Sequence, residues 1–83
     1  MRRVTIFGAT GSIGQNTIDL IRRDRDAYDV VGLSGAGNIE QLAADACDLG
    51  AEIAVTADET RYAELKDALS GSGVTAAAGA DAL

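Results

Sequence analysis

Residues 8–14 form the string Gly8-Ala9-Thr10-Gly11-Ser12-Ile13-Gly14, in which glycine recurs at every third position. The segment before it, residues 3–7, is rich in β-branched and aromatic side chains, as expected of a short buried strand. From Ser12 onward, apolar residues recur at helical spacing. A glycine-rich turn between a strand and a helix lets a diphosphate approach the backbone, and the amide groups of the helix N-terminus attract its charge. The position of the string therefore predicts a dinucleotide-binding turn.

Each glycine of this turn has its own expected role. Gly8 permits a tight turn, Gly11 removes a side chain that would collide with phosphates, and Gly14 lets the helix pack closely. Thr10 and Ser12 add hydroxyl donors. No Lys-Ser or Lys-Thr pair follows the last glycine, so the string is not a Walker A motif. A structural turn without a ligand is the alternative interpretation.

The second predicted strand comprises residues 30–33, and the loop that follows it contains no acidic residue. In NAD-binding domains an Asp or Glu at this place bonds the 2′-hydroxyl of the adenosine ribose. A carboxylate would repel a 2′-phosphate, so its absence favours NADP over NAD. In the alternative interpretation the loop is a plain turn, and its last residue, Asn38, only caps the next helix.

Strands and helices alternate through the rest of the chain. Further strands are predicted at residues 53–55 and 74–76, and helices at residues 39–49 and after Asp58. This β-α-β-α-β-α-β order predicts an α/β fold, a partial Rossmann-like, doubly wound parallel sheet of three layers with helices on both faces. The dinucleotide-binding strand order 3-2-1-4-5-6 makes the first strand central.

Charge and length exclude several classes of function. The chain has 83 residues and a formal net charge of −6, which disfavours nucleic acid and anionic membrane surfaces as partners. The apolar run at the N-terminus is too short for a signal peptide, so we expect a cytoplasmic protein. A chain this short has room for one small domain or part of a larger one.

The pattern of single residues gives further expectations. Ile13, Thr17, Leu20 and Ile21 mark the apolar positions of the first predicted helix, and Cys47 is expected to be buried core filler. The chain has no histidine. Its acidic side chains are scattered over predicted helix surfaces and turns; examples are Asp24, Asp26, Asp48, Glu59 and Asp67. We therefore predict no metal-binding or catalytic residue within the chain.

These residues resemble the N-terminus of the 1-deoxy-D-xylulose 5-phosphate reductoisomerase family. The distinctive parts are residues 10–19, which read Thr-Gly-Ser-Ile-Gly-Gln-Asn-Thr-Ile-Asp, and the small-residue loop of residues 35–38. The resemblance implies an NADPH-dependent enzyme of non-mevalonate isoprenoid biosynthesis. Such an enzyme rearranges and reduces a ketose phosphate to 2-C-methyl-D-erythritol 4-phosphate with a divalent metal ion, Mg or Mn, and the full-length enzyme is expected to be a homodimer.

The resemblance also assigns residues to the cofactor. It implies that Thr10, Gly11, Ser12 and Ile13 contact the cofactor phosphates, and that Ala36, Gly37 and Asn38 surround the adenosine 2′-phosphate. Many relatives carry glycine in place of Ala36 and lysine in place of Gly37, so here backbone amides and Asn38 would bind the 2′-phosphate. Residues 1–83 would be the N-terminal part of the NADP(H)-binding domain. The metal ligands, the substrate-phosphate pocket and the lid would lie beyond residue 83.

Two other classes of function remain open from the sequence. One is a non-catalytic dinucleotide-sensing or interaction module with a partial Rossmann fold. The other is a structural fragment without a ligand, in which a second copy of the chain covers the free edge of the first strand.

Overall fold

The computed structural model describes residues 2–9, 11–35 and 38–79. Over these residues four strands alternate with three helices, and two short 3-10 turns lie at Arg25–Ala27 and Glu59–Arg61. In chain order the elements are β1 (Arg2–Ile6), α1 (Ser12–Arg23), β2 (Tyr28–Gly35), α2 (Ile39–Leu49), β3 (Ile53–Thr56), α3 (Tyr62–Ala68) and β4 (Thr75–Ala78).

The strands form one parallel sheet in the order β1-β2-β3-β4. The register of β1 on β2 shifts between Val4 and Thr5, because Val4 lies opposite Val30 and Thr5 opposite Gly32. A parallel sheet with a helix in each connection confirms the α/β, partial Rossmann-like fold class.

The place of β4 differs from the expected strand order. In the order 3-2-1-4 the fourth strand lies beside the first, whereas here β4 pairs with β3. The connection from β3 to β4 holds a 3-10 turn, the seven-residue helix α3 and a glycine-containing turn. This connection brings β4 beside β3 and leaves β1 at an edge of the described sheet.

The three helices pack in a row on one face of the sheet. Successive right-handed crossovers that step in one direction place their helices on the same side, and α2 contacts both α1 and α3. The described residues therefore show one helical layer on one sheet, and the predicted layer on the other face is not seen among them. The core lies between the two layers; its fully buried large apolar side chains are Ile18, Leu33, Leu42 and Leu65.

The predicted apolar face of α1 is partly wrong. Ile18 and Ile21 are buried, but Ile13 and Leu20 are 83% and 63% exposed. Apolar residues lie on both sides of this helix, so helical spacing alone did not identify the side that packs on the sheet.

The expectation for Cys47 is also wrong, because its side chain is exposed. The buried stripe of α2 runs through Leu42, Ala43, Ala46 and Leu49 and leaves position 47 outside it.

Both ends of α2 lie where the sequence predicts them. Asn38 is the N-cap, and its side-chain oxygen accepts a hydrogen bond from the backbone N–H of Gln41 at 3.1 Å. Gly50 ends the helix in the left-handed conformation, with φ of 66°, where glycine has no steric penalty.

Asp58, predicted as the cap of the third helix, instead caps the 3-10 turn Glu59–Arg61 that leads into it, and α3 begins only at Tyr62. The Asp58 side chain accepts hydrogen bonds from the hydroxyl and the backbone N–H of Thr60. These bonds favour the ionised carboxylate and lower the pKa of Asp58 below its ordinary value of 3.8.

Across the residues that the structure describes, no helix has the length and apolar content needed to span a membrane.

Candidate functional site

The turn after β1 is held against the end of β2. The backbone N–H of Ala9 donates to the carbonyl of Ser34 at 2.7 Å, and the N–H of Gly8 donates to the Ser34 hydroxyl oxygen at 3.2 Å. Gly8 has φ of +64°, a conformation that L side chains rarely adopt. Ser34 thus fixes both peptide groups at the start of the loop.

Gly14 allows α1 to approach this turn closely. A Cβ atom at position 14 would lie 2.3 Å from the Gly8 carbonyl oxygen and 2.7 Å from the Ala9 Cα atom. Both neighbours are backbone atoms, so they cannot move aside as a flexible side chain could. The third glycine of the string therefore has the packing role that the sequence predicts.

The N-terminus of α1 has no side-chain cap. Gly11 occupies the N-cap position with φ of −79° and ψ of 170°, and its own N–H donates to the Gly8 carbonyl at 3.0 Å. Among the described residues, no group accepts a hydrogen bond from the N–H of Ser12, Ile13 or Gly14. The first N–H groups of a helix have no intrahelical partner, and with the helix dipole they attract anions.

Gly11 contributes no side chain in front of these amides. Apart from its two chain neighbours, the nearest atom to a Cβ built there is the Gly8 carbonyl oxygen at 3.4 Å. Ser12 and Ile13 are exposed. The turn is thus open toward solvent at the place where the sequence predicts a diphosphate.

The second loop joins β2 to the N-terminus of α2. The side-chain oxygen of Asn38 accepts a hydrogen bond from the Gln41 N–H, so the NH₂ group is the part of this side chain that can donate to a ligand. The N–H groups of Ile39 and Glu40 belong to the first turn of α2 and lack intrahelical partners. Glu40 is an exposed carboxylate in that same turn, and its charge opposes the binding of an anion.

The two loops lie at the same edge of the sheet, because β1 and β2 are adjacent and parallel. In open α/β sheets, ligands bind beyond the carboxyl ends of the strands. The structure brings Gly11, Ser12, Ile13 and Asn38 to this edge. The other predicted cofactor residues, Thr10, Ala36 and Gly37, lie outside the described residues.

Three residues behind the loops were not singled out from the sequence as functional. They are Ser34, which holds the first loop, and the hydrogen-bonded pair formed by Gln15 and Asp45. Asp45 could have been noticed, because it is a lone acidic residue among the apolar positions of α2. Gln15 and Ser34 carry no comparable signal in a single sequence.

Elsewhere in the described chain, ion pairs join charged side chains on the surface, and one of them reaches the buried carboxylate of Asp45. Arg22 bonds the carboxylates of Asp48 and Asp45, and its pKa is raised, first by the hydrogen bond to Asp48. Within residues 2–9, 11–35 and 38–79 no three acidic or cysteine side chains are grouped so that they could hold a metal ion.

Comparison with known proteins identifies one family. A family model described as 1-deoxy-D-xylulose 5-phosphate reductoisomerase matches residues 4–83. The protein of that name from Ruegeria sp. (strain TM1040) is 65% identical over 83 residues, covering 100% of this chain and 21% of the relative. The one from Jannaschia sp. (strain CCS1) is 70% identical over 82 residues, covering 99% of this chain and 21% of the relative.

Solved structures of the same family have the same fold. The reductoisomerase from Zymomonas mobilis in complex with NADPH matches with a TM-score of 0.95 at 53% identity, covering 98% of this chain and 21% of that one. A DOX-P reductoisomerase in complex with NADPH, fosmidomycin and magnesium matches with a TM-score of 0.90 at 26% identity, covering 98% of this chain and 20% of that one. The chain spans about a fifth of the length of the curated relatives that it matches.

Proposed function

The chain belongs to the 1-deoxy-D-xylulose 5-phosphate reductoisomerase family, and on this premise we propose that residues 1–83 form the N-terminal part of the NADPH-binding domain of such an enzyme. The observation that carries the proposal is the uncapped N-terminus of α1, whose free amides face an open, glycine-lined turn. The complete protein would be an oxidoreductase and isomerase of isoprenoid biosynthesis.

The first loop would bind the cofactor diphosphate through its backbone. The N–H groups of Ser12 and Ile13 would donate to phosphate oxygens, and the absence of a side chain at Gly11 would give those oxygens access. Thr10 is proposed to contribute its hydroxyl on the basis of the family pattern. The helix dipole behind these groups stabilises negative charge at this end.

The second loop would bind the adenosine 2′-phosphate. Asn38 would donate from its side-chain NH₂ group, because its oxygen is already bonded to Gln41. Ala36 and Gly37 would contribute backbone amides. With no lysine in this loop and with Glu40 nearby, we expect the preference for NADPH over NADH to be smaller than in relatives that carry the lysine.

The remaining chemistry belongs to the rest of the protein. Bound NADPH supplies the hydride that reduces the rearranged ketose phosphate. Magnesium or manganese ligands and the substrate-phosphate pocket are proposed to lie beyond residue 83. We also propose that the complete enzyme is a cytoplasmic homodimer, and its acidic N-terminal part gives no support to nucleic acid or membrane partners.

Titration of nicotinamide fluorescence with the complete protein tests this proposal. Gly11→Val places a branched side chain in front of the Ser12 and Ile13 amides, and we expect at least about a tenfold loss of NADPH affinity. The backbone angles of Gly11 are in the extended region, which valine adopts readily, so the circular dichroism spectrum should not change.

Ala63→Val, an exposed change on α3, is the matched control and should bind NADPH as the wild type does. Unchanged binding by Gly11→Val would show that the phosphates lie elsewhere. If the complete protein binds NADPH but does not turn over 1-deoxy-D-xylulose 5-phosphate, the result would support the non-catalytic nucleotide sensor instead.

A further inference from the structure

Asp45 is a buried carboxylate with no direct role in the proposed cofactor contacts. It is 1% exposed and lies on α2 beside apolar residues of the core. Burial of a carboxylate costs free energy unless hydrogen bonds compensate for the lost water. Here three side chains donate to it: Gln15 at 2.7 Å, Gln41 at 3.0 Å and Arg22 at 3.1 Å.

The Gln15 amide connects Asp45 to the first loop. Its nitrogen Nε2 donates to the Asp45 carboxylate and also to the backbone carbonyl of Ala9, at 2.9 Å. Ala9 is fully buried, and its N–H is bonded to Ser34. Both polar groups of Ala9 are therefore fixed by partners on other elements.

Gln41 connects Asp45 to the second loop. Its side-chain nitrogen donates to Asp45, while its backbone N–H donates to the side chain of Asn38. The carboxylate therefore lies between two chains of hydrogen bonds, one ending at Ala9 and the other at Asn38.

We propose that Asp45 is a positioning residue that holds the two cofactor loops in their binding conformations through Gln15 and Gln41. The inference rests on the proposed function, because it assigns the purpose of the network to NADPH binding. A loop that is already ordered loses less conformational freedom when a ligand binds, and this raises affinity. A buried ion pair is often replaceable by apolar residues without loss of stability, so stability alone does not explain a carboxylate here.

Two variants of the complete protein separate this role from a general effect on stability. Gln15→Met keeps the length of the side chain but cannot donate to Ala9 or Asp45, and Asp45→Asn removes the charge that organises the three donors. We expect each variant to raise the dissociation constant for NADPH, measured by nicotinamide fluorescence, about five- to tenfold. The kcat at saturating NADPH and the KM for the ketose phosphate should stay within about twofold of wild type, since neither loop is proposed to contact that substrate.

Leu49→Ala is the control for stability. It removes a buried side chain from the same helix and should lower the melting temperature while leaving NADPH affinity unchanged. If Leu49→Ala weakens NADPH binding as much as Gln15→Met does, or if both network variants bind like the wild type, the positioning role is refuted.

Hydrogen exchange of the ligand-free protein tests the same inference without any cofactor. In Asp45→Asn, the hydrogen-bonded amides of both loops should exchange faster than in the wild type; they are Gly8, Ala9 and Gly11 in the first loop and Gln41 after the second. Faster exchange confined to residues 43–49, or in none of these amides, would overturn the proposal. A wild-type protein that fails to bind NADPH would refute the proposed function, whereas normal wild-type binding with unaffected variants would refute only the role of Asp45.

Discussion

Gly14 lies so close to the first loop that its backbone leaves no room for a side chain. Alanine is usually favoured over glycine inside a helix by about 1 kcal/mol. At this position the added Cβ would be 2.3 Å from the Gly8 carbonyl oxygen, and the clash outweighs that gain. We expect Gly14→Ala to lower the free energy of unfolding by about 1 to 3 kcal/mol, measured by urea denaturation.

The matched control is Gly11→Ala, three residues earlier. A Cβ at Gly11 would be 3.4 Å from the same oxygen, so only the weaker preference of alanine for the N-cap position should lower stability, by less than about 1 kcal/mol. If Gly14→Ala is as stable as Gly11→Ala, the helix does not pack against the turn as described.

Asn38 has two roles that one substitution can separate. Asn38→Asp keeps an oxygen that caps α2 but places a carboxylate where the 2′-phosphate is proposed to bind. We expect unchanged stability and a fall of about tenfold in the ratio of NADPH to NADH affinity, since like charges repel. Asn38→Ala should instead lower the free energy of unfolding by about 1 kcal/mol, because it removes the side chain that caps α2. Equal nucleotide preference in wild type and Asn38→Asp would mean that Asn38 is only a cap.

At the scale of elements, the segment that leads into α3 gives a prediction about pH. Because the pKa of Asp58 is lowered in the folded protein, its carboxylate stabilises the fold above the ordinary carboxyl pKa. This stabilisation is lost as the pH falls through the folded value, below 3.8. At neutral pH the melting temperature of the wild type should therefore exceed that of Asp58→Asn, and the difference should disappear at acid pH.

Asp67→Asn removes another exposed carboxylate, from α3 itself, and controls for the change in net charge. A difference between wild type and Asp58→Asn that grows as the pH falls would contradict the assigned hydrogen bonds from Thr60.

The sequence predicts elements well where local chemistry marks their ends. Both ends of α2 were identified because Asn38 and Gly50 have intrinsic preferences for helix termini. The buried side of α1 was not identified from the sequence, because Ile13 and Leu20 are as apolar as the residues that pack on the sheet. Burial of a side chain depends on neighbours distant in the chain, and a helical period cannot distinguish two apolar sides.

The same limit applies to the site. The glycine string and Asn38 were predictable because a turn and a cap need particular residue types at particular positions. The hydrogen bonds among Gln15, Asp45 and Gln41 join α1 to α2. They depend on how two helices pack, which no local pattern in a single sequence specifies.

At the scale of the whole molecule, the edge formed by β1 predicts self-association of the 83-residue chain. Val4, Phe7, Ile13 and Leu20 line a groove between β1 and α1, and the last three are 63% to 83% exposed. We expect the sedimentation coefficient to rise with protein concentration, and to rise further with salt, which screens the repulsion between chains of net charge −6.

Leu20→Lys should reduce this association, because it places a charge in the groove. Ala63→Lys adds the same charge on an exposed part of α3 and should reduce it less. A single monomeric species at every concentration and salt level would contradict the expectation.

The arrangement of the strands could be predicted only in part. Alternating strand and helix patterns indicate parallel pairing, and this was correct. The neighbour of β4 was not predictable from its alanine-rich sequence, because the direction of a crossover depends on how α3 packs beside α2.

The two hydrogen bonds that Ser34 accepts from Gly8 and Ala9 have a consequence for biosynthesis. The peptide groups at the start of the proposed diphosphate loop are fixed by a residue that the ribosome adds 25 or more positions later. We therefore expect that a nascent polypeptide exposing only the first strand and helix does not yet bind the proposed coenzyme. The loop would reach its final conformation only after the second strand has left the exit tunnel and docked.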